Sequence, residues 1–389
     1  MDEFGAILAA RRELGDGDQD AVLATVVHVR GSAYRRPGAR MLILPDGRRI
    51  GSISGGCLEG DVAKKAWWFT ADGRPSVRVY DTSSDEDAVW EFGLGCNGEI
   101  QVLLERVGTP SAREALDFAG TCRESGGGVM AVVIRSTSSS GVSVGDRLLY
   151  SCNGGVIGNA SGLWPSLSAF VSETVSERQS RLVGLDDCEV FLEWIAPPQE
   201  LVILGAGHDA LPVVSLAKLL GWTVTVADGR PAYASPARFP LADRVVVMKP
   251  DAPLAGIRIH KEAAVVMMTH NFAQDAKLLR AILPLRPRYL GLLGPANRAD
   301  RLFHDLGVRR DSFDVHAPVG LDIGASTPEA IALSIISEIQ AELAGRPGLK
   351  LRHRRDSIHT PALEAGATNH FSLPLPEIPV CEIGQLEEV

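Results

Sequence analysis

The run Leu201-Val202-Ile203-Leu204 passes without a break into Gly205-Ala206-Gly207-His208-Asp209-Ala210, and Asp228 closes the next apolar run. A strand, a glycine turn, a helix start and an acid in this register read as the phosphate-binding turn of a doubly wound parallel sheet, with Ala210 at the permitted third glycine position. The text beyond it keeps the same rhythm. Strands are expected at 201–204, 223–227, 244–248, 264–268 and 289–293, with helices at 211–220 and 274–283. A long last helix has Thr327 as N-cap and Pro328 at its first position. Gly205 and Gly207 would let the backbone approach a ligand, and Asp228 is placed to accept from a ribose hydroxyl. Whether a nucleotide occupies the turn stays open, because a turn of this kind persists around other ligands. His208 is either a crevice residue or a loop cap.

Pro197-Pro198 marks where this pattern begins, since neither proline donates to a sheet. Before it the text is strand-rich: 23–30, a hairpin of 41–44 and 49–53, then 77–81 and 100–104, with a helix at 58–69. A middle part, 106–195, carries a helix at 112–124 and strands at 129–134, 148–152 and 190–195. The expected fold is α/β, a mixed N-terminal domain with a strand-rich core (1–195) followed by a Rossmann-like doubly wound parallel sheet (196–345). Residues 346–389 turn basic, then Pro-rich and acidic. They read as a tail, loosely ordered from 360, with Cys381 accessible in it.

Composition narrows the partners. The chain has 389 residues, 45% hydrophobic and 22% charged, with a net charge of −9. An acidic balance argues against nucleic acid and anionic membrane as main partners, because phosphate neutralisation needs clustered Lys and Arg. No apolar stretch reaches the roughly 18 residues of a membrane span, and the start Met1-Asp2-Glu3-Phe4 is acidic where a signal peptide is basic. The expected location is the cytoplasm. Six cysteines, scattered and without a CxxC pair, suit neither a disulfide framework nor a zinc site.

Two of those cysteines sit in glycine-rich turns, Ser54-Gly55-Gly56-Cys57 and Gly95-Cys96-Asn97-Gly98. Cys57 lies where a strand feeds a helix N-terminus, so free N–H groups and the helix dipole would favour its thiolate. The competing reading is a buried apolar cysteine, and for Cys96 a tight turn ahead of a strand. Arg30-Gly31-Ser32-Ala33-Tyr34-Arg35-Arg36-Pro37-Gly38-Ala39-Arg40 is either an anion site or a solvated loop, since guanidinium forks suit phosphate oxygens. His270 and Asn271 follow a parallel strand, at the edge where open α/β sheets bind ligands, although Asn271 or Thr269 could equally cap the next helix. Gly291–Pro295, followed by Arg298 and Arg301, and His316–Gly324 are expected at the same edge.

These motifs together resemble the family of xanthine dehydrogenase accessory proteins, the XdhC/CoxI family, over roughly residues 20–345. The resemblance implies a maturation factor, an accessory protein or chaperone more than a catalyst. Such proteins bind molybdenum cofactor (molybdopterin), hold it while a cysteine desulfurase supplies the terminal sulfur, and pass it to an apo molybdenum hydroxylase of the xanthine or CO dehydrogenase type. Carried over, Cys57 and Cys96 would handle thiol or sulfur contacts, Cys57 meeting the metal through the cofactor. Arg35, Arg36, Arg40, Gly55 and Gly56 would hold the pterin cofactor, and Gly205, Gly207, His208, Asp228 and His270 would belong to the Rossmann partner, with NAD(P) as the second cofactor the fold allows. A homodimer is expected. Many relatives read Thr-His-Asp-His where this chain has Thr269-His270-Asn271-Phe272. The alternative from another class is an NAD(P)-dependent oxidoreductase using the Rossmann crevice, with His208 or His270 as proton donor. Cysteine-nucleophile hydrolysis lacks a His and Asp arrangement around Cys57.

Overall fold

The computed structural model describes residues 2–15, 20–31, 33–56, 58–81, 98–152, 154–355, 358, 363–366 and 377. Cys57, Cys96 and Cys381 lie outside the described residues. The chain divides into two compact units, one built from residues 3–197 with 359–389, the other from 198–358 with residues 1–2.

The first unit opens with α1 (Glu3–Leu14), followed by β1 (Val22–Gly31), β2 (Arg40–Ile43), β3 (Arg49–Gly51), α2 (Glu59–Phe69), β4 (Ser76–Asp81) and β5 (Gly98–Arg106). The strands form an antiparallel sheet in the order β3-β2-β1-β5-β4. Successive side chains of a strand face opposite ways, so Val22, Ala24 and Val26 pack with Met41, Ile43, Val102 and Leu104 beneath Val62 and Ala66 of α2. The other face is buried as well, with Leu23 and Leu42 against Ile7 and Leu8 of α1. Burial on both faces explains why β1 reads as a continuous apolar run.

Next come α3 (Pro110–Glu124), β6 (Gly128–Ser136), β7 (Arg147–Ser151), β8 (Gly154–Ile157), α4 (Trp164–Glu177), β9 (Arg181–Gly184) and β10 (Cys188–Ile195). They build a second sheet, β9-β10-β6-β7-β8, which packs on the first through Val27, Val77 and Leu103 against Val132, Ile134 and Phe191. Two buried ion pairs join the sheets: Arg40 of β2 reaches Glu193 of β10, and Arg147 of β7 reaches Glu105 of β5. Within the segment expected to be loosely ordered, β16 (Leu363–Gly366) pairs in parallel with β9. That pairing is made by main-chain groups, which leave no mark on composition.

The second unit is the parallel sheet that the glycine turn announces. Its strands are β11 (Glu200–Leu204), β12 (Thr223–Asp228), β13 (Arg244–Val247), β14 (Ala264–Met267) and β15 (Tyr289–Leu292), in the order β13-β12-β11-β14-β15. Leu201 and Ile203 face α5 (Ala210–Leu219) and α8 (Pro328–Leu343), while Val202 and Leu204 face α6 (Phe272–Ile282) and α7 (Ala296–Leu306). The expected caps form: Thr327 accepts from the Ala330 N–H at 3.2 Å, and Pro328 opens α8. Beyond β15, the His316 main chain bonds to Leu290 and Leu292 as a further strand would. The α/β class is thus borne out in both units. The sequence pattern does not announce helices α1, α4 and α7. In α7 the buried positions are Ala299, Leu302 and Phe303, set in a charged run that hides the stripe.

Candidate functional site

At one end of the first sheet, three segments of the first unit converge. Gly98, the last residue of the Cys96 turn, pairs opposite Gly31, the second residue of the arginine loop. From that loop the Tyr34 ring packs so closely on Gly55 that a Cβ there would lie 3.0 Å from it. Tyr34 is otherwise exposed. The arginine loop and the Ser54-Gly55-Gly56 turn are therefore neighbours.

The turn owes its shape to a residue that sequence reasoning missed. Glu59, only 7% exposed at the start of α2, accepts from Ser52 Oγ at 2.7 Å and the Ser54 N–H at 2.8 Å through Oε1. Its Oε2 accepts from Ser54 Oγ and from the Gly56 N–H at 2.9 Å. Burial raises its pKa, but the hydroxyl and main-chain donors outweigh burial and bring it down to about 2. The signal available was an acid in the first turn of a helix behind a Ser-Gly-Gly loop.

The arginines divide by role. Arg40, 5% exposed, donates to Glu193 at 2.7 Å and to the Gly38 carbonyl at 2.8 Å, which ties the two sheets together. Arg35 pairs with Glu3. Arg36 is half-buried and has no side-chain partner among the described residues, and burial lowers its pKa. A guanidinium of this kind keeps its forked donors available, the geometry that suits an oxyanion.

Three cysteines are described, and all are free. Burial pushes the Cys122 and Cys188 thiols up to about 11, and that of Cys152 upward too. None has the profile of a thiolate at neutral pH. Among the described residues no group of three or more His, Cys, Asp or Glu side chains gathers as a metal site. No helix there is long and apolar enough to cross a membrane.

In the second unit the strand order reverses between β11 and β14, and the expected ligand crevice lies at their C-terminal ends. Gly205 has φ +119°, and a Cβ on it would lie 2.3 Å from the Met268 carbonyl oxygen, so the turn presses on the end of β14 in a way only glycine allows. Asp209, at the N-cap of α5, meets His270 Nε2 at 2.8 Å across the turn. His270 itself has φ +56°, a left-handed backbone uncommon outside glycine. His208 is exposed. Asn271 caps α6 by accepting from the Gln274 N–H at 3.1 Å, and Thr269 donates to Asp275, which also holds Arg298 at 2.6 Å.

Asp228 is 2% exposed, and four donors already converge on its carboxylate. These are the Ala206 N–H (2.8 Å), the Arg230 N–H (2.9 Å), and Arg230 Nε and Nη2 at 2.9 and 2.7 Å. Burial alone would raise its pKa; the Arg230 fork and the main-chain donors lower it instead. Farther along the same edge, His316 stacks on Tyr289 with ring centroids 4.3 Å apart, and Nδ1 lies 3.6 Å from Glu338 Oε1. Glu338 also accepts from the Tyr289 hydroxyl and, at 2.8 Å, from the Gly320 N–H.

Comparison with known proteins gives a consistent picture. Residues 201–339 match the model of the XdhC Rossmann domain, and residues 16–81 that of the XdhC and CoxI family. A protein of Bacillus subtilis described as a probable xanthine dehydrogenase subunit is 36% identical over 341 residues, 87% of this chain and 97% of that protein. The molybdenum cofactor insertion chaperone PaoD of Escherichia coli is 26% identical over 367 residues, 93% of each chain. A crystal structure described as a xanthine dehydrogenase from Bacillus halodurans, 30% identical, superposes with a TM-score of 0.73 over 91% of this chain and 98% of that one.

Proposed function

Because this chain belongs to the XdhC and CoxI family, we propose that it is a maturation factor for a molybdenum hydroxylase and carries molybdenum cofactor as its cargo. The relative named as a molybdenum cofactor insertion chaperone supports this reading, since it aligns along nearly the whole of both chains. The observation that carries it is Arg36, half-buried and unpartnered among the described residues, in the loop whose Tyr34 packs on the Gly55 turn. Molybdenum cofactor is a pterin dithiolene with a terminal phosphate and a soft metal. A guanidinium suits the phosphate, and the thiol of Cys57, next in sequence to that turn, suits the metal or a sulfur in transit.

In this reading the protein holds the cofactor while a cysteine desulfurase supplies its terminal sulfur, then passes it to the apo-enzyme in the cytoplasm, working as a homodimer. Glu59 keeps the turn in shape, and Arg40 keeps the sheets beneath it in register.

The test is to incubate purified wild type, Arg36→Ala and Cys57→Ala with free molybdenum cofactor, remove unbound material, and quantify retained molybdenum and pterin. Stoichiometric retention by the wild type, with both variants folded and depleted, is expected. A folded wild type that retains neither would overturn the reading. Retention unchanged in Arg36→Ala would remove the arginine loop from the site.

A further inference from the structure

The saturated carboxylate of Asp228 changes what the Rossmann unit offers to a nucleotide. In this fold an acid at the end of the second strand accepts from the ribose 2′-hydroxyl, and a nearby arginine instead accommodates a 2′-phosphate. A carboxylate has about four lone-pair sites. At Asp228 four donors already fill them, and the group is buried beneath Arg230.

What the tip of β12 presents outward is a pair of guanidinium groups on a tyrosine. Arg230 uses Nε and Nη2 on Asp228, its Nη1 has no partner among the described residues, and its side chain is 51% exposed. The guanidinium carbon lies 3.8 Å from the centroid of the exposed Tyr233 ring. Arg238 lies over the same ring at 4.8 Å, and among the described residues its Nη1 donates to the Ala206 and Tyr233 carbonyls. With one acid set against two arginines, the cluster keeps one net positive charge. Ala206, the middle of the glycine turn, is held by Asp228 through its N–H and by Arg238 through its carbonyl, so the cluster and the turn form one assembly.

We propose that the Arg230–Tyr233–Arg238 cluster reads a phosphate where the acid would otherwise read a hydroxyl. The Rossmann unit then selects an adenine dinucleotide bearing a 2′-phosphate, NADP in chemical class, over its unphosphorylated counterpart. The glycine turn takes the pyrophosphate, and the two guanidinium groups, held over Tyr233, take the extra phosphate. The assignment does not rest on cofactor delivery: a chain that retains molybdopterin but ignores NADP+ would keep that reading and lose this one.

The test is calorimetric titration of the full chain with NADP+, NAD+, 2′,5′-ADP and 5′-AMP at one fixed ionic strength. NADP+ should bind at least about tenfold more tightly than NAD+, and 2′,5′-ADP than 5′-AMP, the size expected of charge-assisted hydrogen bonds. In Arg230→Gln that preference should shrink toward unity, because NADP+ affinity falls while the freed Asp228 carboxylate can accept from the ribose hydroxyl of NAD+. Should loss of the Asp228 partner unfold that variant, Arg238→Gln serves the same purpose. Equal affinity for the two dinucleotides, tighter NAD+, or no binding of any of the four by folded wild type would each overturn the proposal.

Discussion

Glu59 grips Ser54 twice, accepting from its main-chain N–H through one carboxylate oxygen and from its hydroxyl through the other. The grip closes the loop in front of α2 with a charge that is itself buried, so the turn preceding Cys57 is set by a carboxylate five residues past Ser54. A turn built from serine and two glycines would otherwise sample many shapes.

The first prediction concerns that carboxylate. Its pKa falls from the ordinary 4.5 to about 2, so its contribution is fully present above 4.5 and is lost as pH falls through 2. A shift of this size corresponds to about 3 kcal/mol. Glu59→Gln should therefore lose about 2–3 kcal/mol at pH 7, with a flatter stability profile between pH 5 and 2. Denaturant melts across that range decide it, and a variant as stable as wild type at pH 7 would refute the role.

Arg40 and Glu193 are both nearly inaccessible, and each satisfies the other between the sheets. Removing one leaves a buried charge alone, so Arg40→Met should cost about 3–5 kcal/mol. The double variant Arg40→Met/Glu193→Leu should recover most of that loss. Equal losses in the single and double variants, read by chemical unfolding, would show that the pair contributes little as a pair.

His316 gives the second unit a pH signature. The Glu338 carboxylate raises its pKa above the ordinary 6.5 against the opposing effect of burial, while Glu338 lies below its own ordinary 4.5. The histidine contribution is thus full below 6.5 and lost as pH rises through the raised value; that of the glutamate holds above 4.5 and fades in acid. His316→Phe keeps the stack on Tyr289 and removes the charge. It should unfold more easily than wild type at pH 6, with the difference narrowing by pH 9. A gap that stays constant with pH would rule out the ion pair as its source.

Thiol reactivity separates the cysteines. Cys122 and Cys188, pushed up to about 11, should resist iodoacetamide at pH 7.5 until the chain is unfolded. If Cys57 is the thiolate of the proposed site, peptide mass spectrometry should find it alkylated first at pH 6.5. Modification of Cys57 no faster than that of Cys152 would count against a lowered pKa.

The glycine turn and the β-α alternation make the Rossmann unit legible in the sequence, because a parallel sheet buried on both faces writes itself as apolar runs at regular spacing. Asn271 was equally readable as a helix cap. Helix α7 was not, since its Ala299, Leu302 and Phe303 stripe sits among arginines and aspartates. The arginine loop stood out as a block of charge, yet its members look alike in a row of letters.

The sequence by itself thus determined the architecture of the second unit, the strand-rich character of the first, and the segments from which a site could be made. Local pattern suffices there, because backbone geometry and side-chain periodicity act over a few residues. Only the tertiary structure decided that Arg40 is spent on Glu193 while Arg36 is not, that Asp228 is saturated by Arg230, and that Asp209 meets His270 across the turn. A charged group becomes a strut or a binding group according to which partner reaches it first in space, and such partners lie up to 153 positions apart in the chain.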